Sequence, residues 1–94
     1  TPASPLEAAS FPLVPFCNRI RGGTFEFRGR TVRLAPNMAG DPSPLHGQGW
    51  LAPWNVEDAS ARSARLVFEH TPGEWPWPYR AEQHFSLVDN ALEI

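Results

Sequence analysis

His46 stands in the run Leu45-His46-Gly47-Gln48-Gly49-Trp50. An imidazole titrates near neutrality, so it suits both hydrogen bonding to hydroxyls and proton transfer. The neighbouring glycines let backbone approach a ligand closely. The plainer alternative is a histidine on a solvated loop. Asn18 and Arg19 close an apolar stretch just ahead of Gly22-Gly23. Arginine presents a rigid fan of donors to sugar hydroxyls, and asparagine both donates and accepts. The alternative there is an arginine held in an ion pair at a strand end.

Four tryptophans are many for 94 residues. In Trp75-Pro76-Trp77-Pro78 the two indoles lie two residues apart and share one side of an extended chain. An aromatic face stacks on the C–H face of a pyranose, but tryptophan equally serves to bury area in a thin core. Cys17 is the one cysteine. That excludes an intrachain disulfide, and its setting reads as a small apolar residue rather than a nucleophile. His46, His70, His84 and Cys17 have no metal-ligand spacing, and no glycine loop of the phosphate-cradling kind occurs.

Composition bounds what can position these groups. The formal charge is −2 and all eight basic residues are arginines. Glu26 interrupts the arginines of residues 19–33, and alternation spreads them over a hairpin, so no nucleic-acid footprint forms. No apolar run approaches the ~20 residues of a membrane helix, and no secretory leader pattern is visible. A cytoplasmic protein is the expectation. Leu, Ile, Val and Phe number 21, enough for a modest core, while eleven prolines and seven glycines argue against long helices.

Residues 1–10 read as a flexible lead-in, and 11–94 as part of one domain. Phe11–Phe16 is apolar but broken by Pro12 and Pro15, which suits an edge or extended segment. The clearest element is a hairpin over Thr24–Leu34. Phe25 and Phe27 alternate with Glu26 and Arg28, Gly29 turns the chain, and Val32 and Leu34 alternate with Arg33. Residues 35–53 hold four prolines and three glycines and form a long loop of the kind that either binds something or is disordered. A strand opens near Trp54 and Val56. Ala64, Leu66 and Phe68 then supply one apolar face, with Arg65 and Glu69 opposite. Tyr79, Ala81, Gln83, Phe85 and Leu87 share a face of the next strand. Ala91–Ile94 begins another, whose far edge stays unpaired. That edge is expected to recruit a second copy or a complementing chain. The class is all-β, an antiparallel β-sandwich.

Phe11-Pro12-Leu13-Val14-Pro15-Phe16-Cys17-Asn18-Arg19-Ile20, then Leu45-His46-Gly47-Gln48-Gly49-Trp50 and Trp54, resembles the aldose 1-epimerase (galactose mutarotase-like) family. The hairpin between the motifs and the Trp-Pro-Trp-Pro-Tyr segment agree with it. The resemblance covers about residues 11–94 and implies the N-terminal part of a supersandwich roughly three times this length. It implies a hexose ligand bound by Asn18, Arg19, His46 and Trp50, with Arg19 holding hydroxyls and Asn18 supporting the same turn. His46, the catalytic candidate among these residues, would contact the sugar near the ring oxygen and anomeric centre. Family members use a second histidine as general acid and a glutamate as general base. Neither has a matching position here, and the acid role is not carried onto His70 or His84. Interconverting anomers needs no metal or organic cofactor. A noncatalytic carbohydrate-binding sandwich and a hexose-phosphate mutarotase stand as alternatives.

Overall fold

Alternation and turn chemistry set the first element of the fold. In the computed structural model, which describes residues 4–94, β1 (Thr24–Phe27) and β2 (Arg30–Arg33) form an antiparallel hairpin. Phe25 faces Val32 and Phe27 faces Arg30 across it. The two-residue turn places Arg28 at φ 50° and Gly29 at φ 75°. Positive φ at both central positions is the hairpin turn whose twist matches the flanking strands. Leu34 extends the pairing by donating its N–H to the Gly23 carbonyl at 2.7 Å.

A four-stranded antiparallel sheet follows in the order β3 (Asn55–Ala59), β4 (Ser63–His70), β5 (Tyr79–Val88) and β6 (Ala91–Glu93). The Ser60 side chain closes the first turn, accepting from the N–H groups of Arg62 and Ser63 at 3.3 and 3.1 Å. Asp89, at φ 53°, turns β5 into β6. Among the described residues β6 is paired on one side only, and Leu87, Leu92 and Ile94 near it are exposed. The lead-in expected over residues 1–10 falls partly outside the described residues. Within it, Pro5–Glu7 make one 3-10 turn capped by Ser4. No helix among the described residues is long and apolar enough to cross a membrane.

The two faces of the sheet differ, as the sequence pattern anticipates, with one exception. Phe68 packs on Trp54 and Tyr79, at ring-centroid distances of 5.7 and 5.9 Å. The opposite face carries Arg65, Glu69, Arg80, Glu82 and His84. Yet Val67, on this charged face, is 4% exposed and is among the most buried residues of the chain. A β-bulge between Val56 and Asp58 re-aims Glu57, which accepts from Arg65 at 3.2 Å and from Arg80 at 2.5 Å. Arg80 sits opposite Glu69, so its reach to Glu57 crosses β4 diagonally. Strand alternation does not anticipate the burial of Val67 on this face. Leu87, read as part of the apolar face of β5, is 50% exposed.

The tryptophans pack among aromatic neighbours. Trp75 lies 5.8 Å from Phe16 and 6.0 Å from Phe25, and Trp77 stacks on Phe25 and meets Phe27 edge-on. Both indoles thus fall on one side of their segment, against the hairpin. They join it to the β4–β5 connection. Of the two readings open to them, burial is the one this packing supports.

Candidate functional site

Two loops without regular strands build the site. Residues 14–20 and 44–49 lie antiparallel, joined by a single bridge between Arg19 and Leu45. The Gly49 N–H donates to the Val14 carbonyl at 3.0 Å and the His46 N–H to the Asn18 carbonyl at 2.9 Å. Gly47 has φ 78°, and a Cβ there would stand 2.3 Å from Pro15 Cδ. Only glycine combines that backbone with that approach.

Asn37 clasps the second loop from outside. Its amide nitrogen donates to the carbonyls of Leu45 and Gly47, both at 2.8 Å, and its oxygen accepts from the Leu45 N–H at 2.7 Å. Leu45 is 5% exposed, and its carbonyl also accepts from Trp50 Nε1 at 2.8 Å. Backbone that forms no ladder is therefore satisfied by side chains.

Asn18 and His46 hold each other reciprocally. Besides the backbone bond from His46, the Asn18 N–H donates to His46 Nδ1 at 2.8 Å. Nδ1 is thereby an acceptor, so in the neutral ring Nε2 carries the proton. Burial first, and then the nearby Arg19 charge, press the His46 pKa below its ordinary value. The neutral ring is the one the geometry favours. Trp50, 5% exposed, braces the imidazole edge-on at 5.6 Å. It reaches the site through His46 rather than by an open face.

Arg19 is aimed from two sides. Its Nε donates to Asp41 Oδ2 at 2.5 Å, and one terminal nitrogen donates to Asn18 Oδ1 at 3.2 Å. The Arg19 hydrogen bond is the chief reason that Asp41 stays below the usual carboxylate range, with the Ser43 N–H second. The side chain of Arg19 remains 47% exposed, with donors free for a ligand. Asn18, Arg19 and His46 thus come together, and Trp50 stands behind them. The site combines one cation with a neutral N–H donor. The carboxylate beside it, Asp41, is committed to Arg19 and Ser43. Such a set holds hydroxyl and ether oxygens.

Sequence reasoning missed Asn37 and Asp41. Asp41-Pro42-Ser43 does carry a turn signature, and the Ser43 N–H donates to Asp41 Oδ1 at 2.9 Å. Nothing in the sequence points from that turn to Arg19. His84 lies on the charged face, 2.9 Å from Glu82, and Cys17 is exposed. His70, the last residue of β4, lines a cleft of about 530 Å³ together with Gln48, Glu74 and Trp75.

The model of the aldose 1-epimerase family matches residues 3–94. The uncharacterized protein YphB of Escherichia coli K12 is 42% identical over 88 residues, which is 94% of this chain and 30% of YphB. The crystal structure of a candidate aldose 1-epimerase from Escherichia coli K12 superposes with a TM-score of 0.84 at 42% identity. It is matched over 95% of this chain and 30% of its own. The chain therefore spans about a third of the length of these relatives. With the family match running across both loops of the site and both sheets, the chain belongs to the aldose 1-epimerase family.

Proposed function

We propose that this chain supplies the Arg19–His46 part of a hexose site in a mutarotase that exchanges α and β anomers. The observation that carries the reading is the reciprocal Asn18–His46 hold, which leaves His46 Nε2–H as a donor beside the free donors of Arg19. Arg19 grips ring hydroxyls, and Nε2–H bonds to the ring oxygen or the anomeric oxygen. A base removes the anomeric O–H proton while an acid protonates the ring oxygen. The bond between C1 and the ring oxygen breaks and an aldehyde forms. It rotates, and closure on its other face gives the second anomer. Acid and base belong to family positions without counterparts in these residues, and each such group typically contributes about 10²–10⁴-fold. No cofactor enters. A hexose within the cytoplasm is the ligand this reading assumes.

Polarimetry on freshly dissolved hexose, free and phosphorylated, tests the reading in the full-length protein. His46→Ala is expected to weaken sugar binding by about 0.5–1.5 kcal/mol, the net worth of one neutral hydrogen bond. Wild-type exchange rates from an Arg19→Ala, His46→Ala double variant would sink it. A second reading, carbohydrate binding without turnover, draws on the commitment of Asp41 to Arg19, which leaves that carboxylate no proton to carry. It predicts calorimetric binding of hexose with no catalysed exchange.

A further inference from the structure

The loop carrying His46 has a second anchor that neither the motif nor the site chemistry explains. Gln48, two residues on, reaches His70 at the end of β4, its amide nitrogen 2.9 Å from Nδ1 and 3.2 Å from Nε2. His70 Nε2 in turn lies 2.7 Å from the Trp75 carbonyl oxygen, which also accepts from the Gly73 N–H at 3.2 Å. A carbonyl oxygen only accepts, so Nε2 bears the proton, and the Gln48 amide, near both ring nitrogens at once, lies over the face of the imidazole rather than along the Nδ1 lone pair. The ring is stacked on Tyr79 at 5.0 Å, 25° from parallel, which fixes its plane.

A continuous path results. The Trp75 carbonyl holds His70, His70 holds Gln48, and Gln48 is one glycine away from His46. Asn18 grips His46 from the opposite side. The imidazole of His46 is thereby set between the loop that carries Arg19 and the end of the four-stranded sheet. Resting on the sugar-site reading above, we infer that Gln48 and His70 are positioning residues that fix His46 against the substrate. They touch no substrate themselves.

Substitutions in the full-length protein separate this from simple packing. Gln48→Ala cuts the path, and His70→Phe keeps the stack on Tyr79 while removing the bond to the Trp75 carbonyl. Each is expected to lower kcat about 10- to 100-fold, with KM nearly unchanged, because small misplacements of a positioned group cost that much. Since both cut one path, the double variant is expected to lose little more than either single. Gln48→Glu keeps the length of the side chain but offers only acceptor oxygens to the ring, so it is expected to lose kcat as Gln48→Ala does. An independent readout is the ¹⁵N shift pair of the His46 ring, which reports the Asn18 bond without turnover. Loss of its single-tautomer signature in Gln48→Ala supports the inference. Should the wild-type protein fail to exchange anomers, the functional reading falls, and the His46 shifts alone decide the positioning role. Wild-type kcat in Gln48→Ala or in Gln48→Glu, or unchanged His46 shifts, each overturn it.

Discussion

Replacing Asn37 by alanine removes three hydrogen bonds at once, all of them to the backbone of the loop that carries His46. The Leu45 carbonyl keeps a partner, since Trp50 Nε1 still donates to it at 2.8 Å. The Leu45 N–H, in a residue only 5% exposed, makes its one hydrogen bond among the described residues to Asn37 Oδ1 and loses it. One orphaned buried donor costs about 1–3 kcal/mol, and a part-buried carbonyl that regains water costs less. The expected loss for Asn37→Ala is about 2–4 kcal/mol on that basis. Asn37→Asp gives the sharper result. It retains the acceptor for Leu45 N–H but turns the donor of two 2.8 Å bonds into an oxygen facing two carbonyl oxygens. The near-isosteric aspartate is therefore expected to be no better than alanine, and worse above its own pKa. Urea unfolding of the full-length variants measures both, and amide exchange at Leu45 shows whether the damage is local. An aspartate variant as stable as wild type at neutral pH would refute the assignment of the clasp.

Gly49→Ala is expected to cost about 1–3 kcal/mol in the same assay, the usual range for overpacking, because its Cβ would stand 2.1 Å from Val14 Cγ2. Gly73→Ala, with nothing within 4 Å, serves as the neutral control. The Asp41 carboxyl titrates below its usual value because Arg19 and Ser43 donate to it. Its contribution is present above the unfolded pKa and disappears as pH falls through the lower, folded one. An acid titration should find wild type and Asp41→Asn converging there, and a difference that persists below that pH would contradict the pairing. His46, pressed down by burial and by Arg19, behaves analogously: its neutral form contributes fully above about pH 6.5 and the contribution declines as pH drops below it. Its NMR midpoint is expected under that value and should rise in Arg19→Ala. Trp75→Ala, which strips a ring packed on Phe16, Phe25 and Trp77, is expected to cost about 3–5 kcal/mol in thermal unfolding.

The hairpin was legible because its period, its turn residues and its aromatic face all pointed the same way. Phe25 and Val32, chosen by alternation, do face each other, and Val32 is 2% exposed. The strand from Ser63 to His70 was legible in extent, but not in the burial of Val67. That face is crossed by an ion pair between an arginine of the next strand and a bulged glutamate two strands away, a pairing no local pattern encodes. Likewise Asn18, Arg19 and His46 were legible as residue types in an ordered pair of motifs. What holds them was not. Asn37, Asp41 and the Gln48–His70 contact lie in segments without periodicity, where partners are set by the path of the loop in space and not by local pattern.

Asn18 and His46 both occupy the left-handed region, at φ 69° and 57°. For residues with a side chain that conformation costs roughly 1–2 kcal/mol each, less for asparagine. A library screened for thermal tolerance alone would accordingly be offered glycine at either position as a gain in backbone ease. Asn18→Gly keeps the main-chain donor to the imidazole but surrenders the oxygen that helps aim Arg19. His46→Gly surrenders the ring itself. Robustness and ligand recognition therefore pull in opposite directions at two facing positions, and selection on heat alone would be expected to erode the site while leaving the fold intact.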